Sequence, residues 1–413
     1  MATGPRMGEP ASDAAETGQI PETTGPAVGA KPRPSEAARG KKWRISEVFT
    51  FDTCTYKCAY CLFAEYGMVL DSSQLKPYRD PDFIRQVASF FNRRVTDDCH
   101  WLLQFTGGEP LLMPNFALLG DLLGEFGNRI ALYTAMMIGR DHPSFRYLLE
   151  RAAPITDYLM VSFHPEAEAF EEEFFTKLKL LKEAGHSVIF RFVGHPKRLH
   201  RLDELSEKCR RIDVSFYPTP LFSPDYPSAY TSEERDQLHR HMASISQIIR
   251  MANGIDTSST RCHAANTVIS LDLRSGRITP CASVWTPQIG HLYEDWLHLE
   301  DEPIACPAAG ISCLCDIHFQ QNIVVGADDR DHFARHKAGW VAPVPHATLR
   351  SEVERSGLGF STAVPGIGQT QTSAELAIPK EVVRARYQAD AEKFTGSYRA
   401  NYAPEFRSRQ ERR

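Results

Sequence analysis

From about residue 46 onward, short runs rich in β-branched and aromatic residues alternate with longer stretches whose apolar residues recur at helical spacing. Glu47–Phe51, Trp101–Thr106, Ile130–Ala135, Tyr158–Phe163, Ser187–Val193 and Val214–Tyr217 read as strands. Leu62–Leu70, Asn115–Phe126 and Ala167–Ala184 read as helices, the last stopped by Gly185. Thr231-Ser232-Glu233-Glu234 is a capping box and predicts a helix running to about Met251. Strands separated by helices are βαβ units and call for a parallel sheet. Six of them predict an α/β chain with a partial (β/α)6 barrel over residues 43–255. In such sheets ligands gather at the carboxyl ends of the strands.

The flanks read differently. Residues 1–42 are rich in Gly, Pro and Ala, with no aromatic residue before Trp43. Such a segment buries too little apolar surface to offset its ordering entropy, and disorder is expected. After residue 260, Thr267–Leu273 and Arg277–Pro280 predict a hairpin around Ser275-Gly276. It opens a small cysteine-rich domain expected over 256–330. Residues 331–413 form a C-terminal extension, with a linker at Gly357–Thr372, a surface helix at Glu381–Phe394 and a solvated tail.

With 42% apolar and 24% charged residues the composition is that of a soluble globular protein. A net charge of −5 gives no basis for a nucleic-acid partner. No apolar run is long enough for a membrane span, and the N-terminus lacks a secretory h-region, so a cytoplasmic protein is expected. Ten cysteines in a reducing compartment argue for metal binding or redox chemistry over disulfides. Three of them fall within 54–61 and five within 262–315.

Cys54-Thr55-Tyr56-Lys57-Cys58-Ala59-Tyr60-Cys61 is a C-x3-C-x2-C motif in the loop after the first strand. Three thiolates can ligate three irons of a 4Fe–4S cluster and leave the fourth iron without a side-chain ligand. A structural zinc site is normally closed by a fourth protein ligand. Thr106-Gly107-Gly108-Glu109-Pro110 follows the second strand, where glycines let backbone approach a ligand closely.

Together these motifs, with the aromatic Tyr60 before the third cysteine, resemble the radical S-adenosylmethionine (SAM) superfamily over roughly residues 44–255. The resemblance implies that the cluster on Cys54, Cys58 and Cys61 chelates SAM and cleaves it reductively to a 5′-deoxyadenosyl radical, which takes a hydrogen atom from substrate. It implies an electron donor such as flavodoxin or ferredoxin. It also implies cofactor contacts at Tyr60, Gly107, Gly108, Glu109 and Pro110, and weaker candidates at Thr134, Ser162 and Arg191. Peptide-modifying relatives often read Ser-Leu-Asp-Gly at the fourth strand, whereas this chain reads Ser162-Phe163-His164-Pro165. His164 is therefore either a proton-transfer group facing substrate or a hydrogen-bonded structural histidine.

Cys262, thirteen residues, Gly276, four residues and Cys281 resemble the opening of SPASM and twitch domains, which bind auxiliary 4Fe–4S clusters. One auxiliary cluster is expected, held by Cys262, Cys281, Cys313 and Cys315, with Cys306 as the competing ligand; a zinc site is the alternative. Cys99 and Cys209 read as structural. The resemblance implies an oxidoreductase acting on a peptide side chain or on a small polyol or sugar, by oxidation or bond formation. A redox-neutral epimerase with Cys99 or Cys209 as hydrogen donor, and a non-catalytic zinc scaffold, are the alternatives.

Overall fold

A ten-stranded sheet organises the protein, and its centre is six parallel strands in sequential order. The computed structural model describes residues 42–51, 53, 54, 58, 72–221, 226–282, 287–307, 312, 313 and 320–360. Along the chain these are β1 (Lys42–Phe49), α1 (Pro81–Asn92), β2 (Cys99–Thr106), α2 (Phe116–Gly124), β3 (Arg129–Thr134), α3 (Pro143–Tyr147), β4 (Thr156–Phe163), α4 (Glu171–Glu183), β5 (Val188–Gly194), α5 (Leu202–Arg211) and β6 (Ser215–Pro220). Every pairing from β1 to β6 is parallel.

Side chains alternate across the sheet with period two. One face is aromatic and packs on helices: Phe105 meets Phe116 of α2 at 6.5 Å, and Phe163 meets Phe174 of α4 at 4.9 Å. The other face carries Gln104, Tyr133, Tyr158 and Tyr217. Gln104 donates to the Tyr158 hydroxyl at 2.9 Å, and the Tyr158 and Tyr133 hydroxyls lie 3.1 Å apart. Gln320 accepts from Tyr133 at 3.4 Å and donates to Tyr217 at 3.2 Å. In a flat sheet β3 and β6 would stand about 14 Å apart. One glutamine meets both, so the sheet curls with this polar face on its concave side.

The chain continues through α6 (Ser232–His239), α7 (Ile245–Met251), β7 (Ile255–Asp256), β8 (Arg261–Cys262), β9 (Val268–Asp272), β10 (Arg277–Thr279), β11 (Gly290–His291), β12 (Trp296–Leu297), β13 (Ile304–Ala305), β14 (Ser312–Cys313), α8 (Arg330–Ala338) and α9 (His346–Arg355). The predicted hairpin is β9–β10, and Gly276 turns it at φ +77°. β9 pairs in parallel with β1, so strands β9 to β12 extend the large sheet across the boundary expected near residue 255. α8 packs against the concave face: Phe333 lies 4.9 Å from Tyr158, His336 lies 5.0 Å from Tyr217, and the His336 Nδ1 meets the Ser215 hydroxyl at 2.5 Å.

Two predicted helices differ. The Thr231 capping box forms, but α6 stops at His239. Ser244 then opens a second capping box with Gln247, and Asp329 accepts the N–H groups of Ile245 and Ser246 at 3.0 and 3.2 Å, fixing a new helix start. In the predicted 167–184 helix, the first turn is a 3-10 turn, Pro165–Phe170, and α4 begins at Glu171. Residues 1–41, Leu62–Leu70, 361–372 and Glu381–Phe394 lie outside the described residues. Among the described residues no helix is long and apolar enough to cross a membrane.

Candidate functional site

The site begins where β1 and β2 end. They are in register, Phe49 opposite Thr106, and their extensions stay side by side beyond the ladder. Thr50 N–H donates to Thr106 O at 3.0 Å, Gly108 N–H to Phe51 O at 2.6 Å, and Glu109 N–H to Thr53 O at 2.9 Å. The chain entering the cysteine loop is thereby stitched to the glycine strap. Gly107 permits the approach. Its φ is +134°, and a Cβ there would sit 2.6 Å from Phe51 O and 2.8 Å from Thr50 Oγ1. From the other side, the buried Tyr78 hydroxyl donates to Thr50 O at 2.7 Å.

Glu109 is fully buried and holds the strap from within. One carboxylate oxygen accepts from Leu111 N–H at 3.0 Å and from the Thr134 hydroxyl at 2.6 Å; the other accepts from Ala135 N–H at 2.9 Å. Burial raises its carboxyl above the ordinary carboxylate range, and the Thr134 and backbone hydrogen bonds oppose that rise. Thr134 also accepts from Met136 N–H at 2.8 Å, so its hydroxyl braces β3 against the strap. Pro110 starts the short 3-10 turn that follows, Pro110–Leu112, and is buried.

Cys54 is partly buried and Cys58 buried, and neither is in a disulfide. Cys61 and Tyr60 lie outside the described residues. Across the concave mouth, His164 follows β4 directly, and its Nδ1 is 3.8 Å from Cys58 Sγ. Glu166 joins them: the donor atoms of Cys58, His164 and Glu166 all lie within 4.8 Å of one another. Burial pushes His164 down to about 4, with Arg191 and Arg198 adding to the depression and Glu166 opposing it. Ser162 and Arg191 are register partners on β4 and β5, with Tyr217 next on β6. The structure thus brings the cysteine loop, the strap, Thr134 and His164 to one end of the sheet, with Ser162 and Arg191 near the ends of β4 and β5. Glu166 carried no sequence signal. Its place follows from the 3-10 turn that replaces the first turn of the predicted helix.

A second group of thiols lies beyond β7. Cys262, Cys281, Cys306 and Cys313 are all buried. Two small ladders assemble them: β13 pairs with β8, setting Ile304 opposite Cys262, and β14 pairs with β7, setting Cys313 opposite Ile255. A hydrogen bond between Cys306 and Cys262 is the first cause raising the Cys262 thiol; burial and the neighbouring Cys313 and Cys281 add to it. The Thr257 hydroxyl donates to Cys306 Sγ at 3.1 Å. Cys306, expected as the competitor, is therefore the immediate neighbour of Cys262, because the β8–β13 ladder delivers it there. Cys315 lies outside the described residues. Cys209 is fully buried and its thiol is pushed well up by burial, as a packing residue would be; Cys99 opens β2 and is partly buried.

No protein-family model matches the chain, and no curated protein matches it. Solved structures do. Streptococcus suis SuiB bound to S-adenosylmethionine matches at TM-score 0.40 and 13% identity, over 61% of this chain and 63% of that one. SuiB bound to precursor peptide SuiA matches at 0.39 and 13%, over 58% and 59%. AnSMEcpe with bound AdoMet and Cp18Cys peptide matches at 0.43 and 12%, over 76% and 97%. The chain thus spans about three-fifths of SuiB.

Proposed function

We propose that this protein is a radical SAM enzyme, in which Cys54, Cys58 and Cys61 hold a 4Fe–4S cluster and the Gly107-Gly108 strap receives the methionine end of SAM. The observation that carries the reading is the stitching of the strap to the cysteine loop through Phe51 and Thr53. It sets soft sulfur donors beside backbone free of side chains, which suits a chelated ligand with an amine and a carboxylate. When bound, the cluster supplies the electron that cleaves SAM. The chain's own part is positional. Glu109 acts from inside the strap, and Thr134 acts through Glu109. Ser162 and Arg191 offer a hydroxyl and a guanidinium suited to the SAM carboxylate. Behind the mouth, the concave face is closed by a buried polar network of Gln104, Tyr133, Tyr158 and Gln320, which leaves a polar substrate to the carboxyl ends of the strands. Oxidation or bond formation on a peptide side chain, or on a small polyol or sugar, fits that placement.

The second thiol group is read as one auxiliary 4Fe–4S site on Cys262, Cys281, Cys306 and Cys313. Four buried thiols supply the four-cysteine set such a cluster takes, and zinc on the same thiolates is the alternative that iron and zinc counting separates.

The test is anaerobic reconstitution followed by strong reductant and SAM. The reading expects 5′-deoxyadenosine from the wild-type protein and none from Cys58→Ala. A cluster-loaded wild type that yields no 5′-deoxyadenosine overturns it.

A further inference from the structure

β1 and β4 are separated by two strands, yet Cys58 and His164 meet across the curled mouth at 3.8 Å. The histidine is mounted on a rigid support. Pro165 after it restricts His164 to extended backbone, and it sits at φ −85°, ψ 159°. Its carbonyl accepts from Ala167 N–H at 2.9 Å, closing the 3-10 turn that also carries Glu166. Buried Arg198 clamps the same turn, donating to Phe163 O at 3.1 Å and to Glu168 at 2.6 Å. A side chain set this firmly beside one cysteine sulfur has a defined job there.

We propose that His164 donates an N–H···S hydrogen bond from Nδ1 to the Cys58 sulfur, and that Glu166 is the opposing charge, so that the two set the reduction potential of the iron–sulfur centre. The inference rests on Cys58 being a cluster ligand, as proposed above. Hydrogen bonds to cluster sulfurs and the net charge nearby are the levers that tune such potentials. The reduced cluster carries one more negative charge. A donor N–H stabilises it and raises the potential; a carboxylate within 4.8 Å destabilises it and lowers the potential. His164 and Glu166 are thus positioning residues with effects of opposite sign.

The experiment is an EPR-monitored redox titration of the full, anaerobically reconstituted chain, with and without SAM. The SAM-responsive signal distinguishes this centre from any auxiliary one. A wild type without such a signal would sink the functional reading itself, before this inference is reached. His164→Phe should shift the couple negative by a three- to tenfold change in the reduced-to-oxidised ratio, about 30–60 mV for one electron. His164→Asn, which keeps an N–H donor on a shorter side chain, should recover about half of that and stay negative of wild type. Glu166→Gln should shift the couple positive by a similar factor. Should His164→Phe fail to hold its cluster, the opposite signs of Glu166→Gln and His164→Asn relative to wild type still decide the matter. A potential unchanged in these variants, or shifts of one sign only, would overturn the proposal. Stoichiometric zinc lost on His164→Phe would overturn it too, by making the trio a metal site of its own.

Discussion

Gly107 is the position where a single methyl group should do the most damage. Its φ of +134° is one that L side chains rarely adopt. Holding alanine there costs on the order of 1–3 kcal/mol. The new Cβ would also lie 2.6 Å from Phe51 O and 2.8 Å from Thr50 Oγ1, where backbone contact normally stays beyond 3 Å. Relief means prising the strap from the loop and weakening the Gly108 N–H to Phe51 O hydrogen bond, worth about 1 kcal/mol. Gly107→Ala should therefore lose about 2–4 kcal/mol, read from the urea midpoint at constant m. The matched control is Gly359→Ala, where a Cβ meets nothing within 4 Å and the backbone is not left-handed. It should stay within about 0.5 kcal/mol of wild type. Because the strap is also the proposed SAM cradle, Gly107→Ala should weaken SAM binding at equilibrium while Gly359→Ala does not. Equal stability of the two variants would refute the argument from close approach.

Other substitutions test the remaining contacts. Glu109→Ala leaves the Leu111 and Ala135 N–H groups and the Thr134 hydroxyl without their acceptor in a dry site, and should cost about 3 kcal/mol or more, whereas Glu109→Gln should cost less. Its carboxyl is raised in the folded state, so the unfolded chain gives up that proton first. Wild-type stability should fall as pH rises from 4.5 through the folded value, and Glu109→Gln should lack that slope in paired denaturation curves. Asp329, raised to about 6 by burial, should behave likewise between 3.8 and 6, with Asp329→Asn as the flat comparison. Cys306→Ser should lower bound iron from about eight to about four per chain, leaving the SAM-binding centre; unchanged iron would return Cys315 to the ligand set. Tyr217→Phe, which removes a hydroxyl shared by Ser246 and Gln320, should cost about 1–2 kcal/mol in thermal or urea unfolding.

The strands were legible because β-branched and aromatic runs such as Trp101–Thr106 and Tyr158–Phe163 are buried on both faces and carry little polar alternation. Helix α1 is not among the predicted elements, although its signals are local. Asp80 accepts from Asp82 N–H as N-cap and Pro81 sits at the first helical position, ahead of a Phe- and Ile-rich buried face. What local sequence could not convey was long range. β9 finds the free edge of β1, more than two hundred residues away, through backbone groups that carry no side-chain mark. Gln320 and α8 fill the concave face through tertiary pairings, His336 to Ser215 and Phe333 to Tyr158, that no periodicity in 320–338 announces. Cys306 needed a ladder of two residues, β8 with β13, before it outranked its neighbours.

The two motifs that suggested chemistry are separated in sequence, with Gly107 lying 46 positions beyond Cys61, and become one site only through register. β1 and β2 pair with Phe49 opposite Thr106, so the first residues beyond each strand face one another. A slip of one residue would turn every side chain to the opposite face and set Gly107 or Glu109, not Gly108, opposite Phe51. Tyr78 guards against this from outside the sheet: its hydroxyl grips Thr50 O, and its own carbonyl accepts from Asn115 at 2.9 Å, tying the loop after β1 to the entrance of α2. Tyr78 is not among the residues proposed to hold the cluster or SAM. Tyr78→Phe should weaken SAM binding more than its loss of about 1 kcal/mol in stability accounts for, because its hydroxyl fixes the Thr50 carbonyl at the point where the cysteine loop leaves the ladder. Stability and SAM affinity measured on the same preparation separate the two effects, and a variant that lost only stability would show that the β1–β2 ladder alone holds the register.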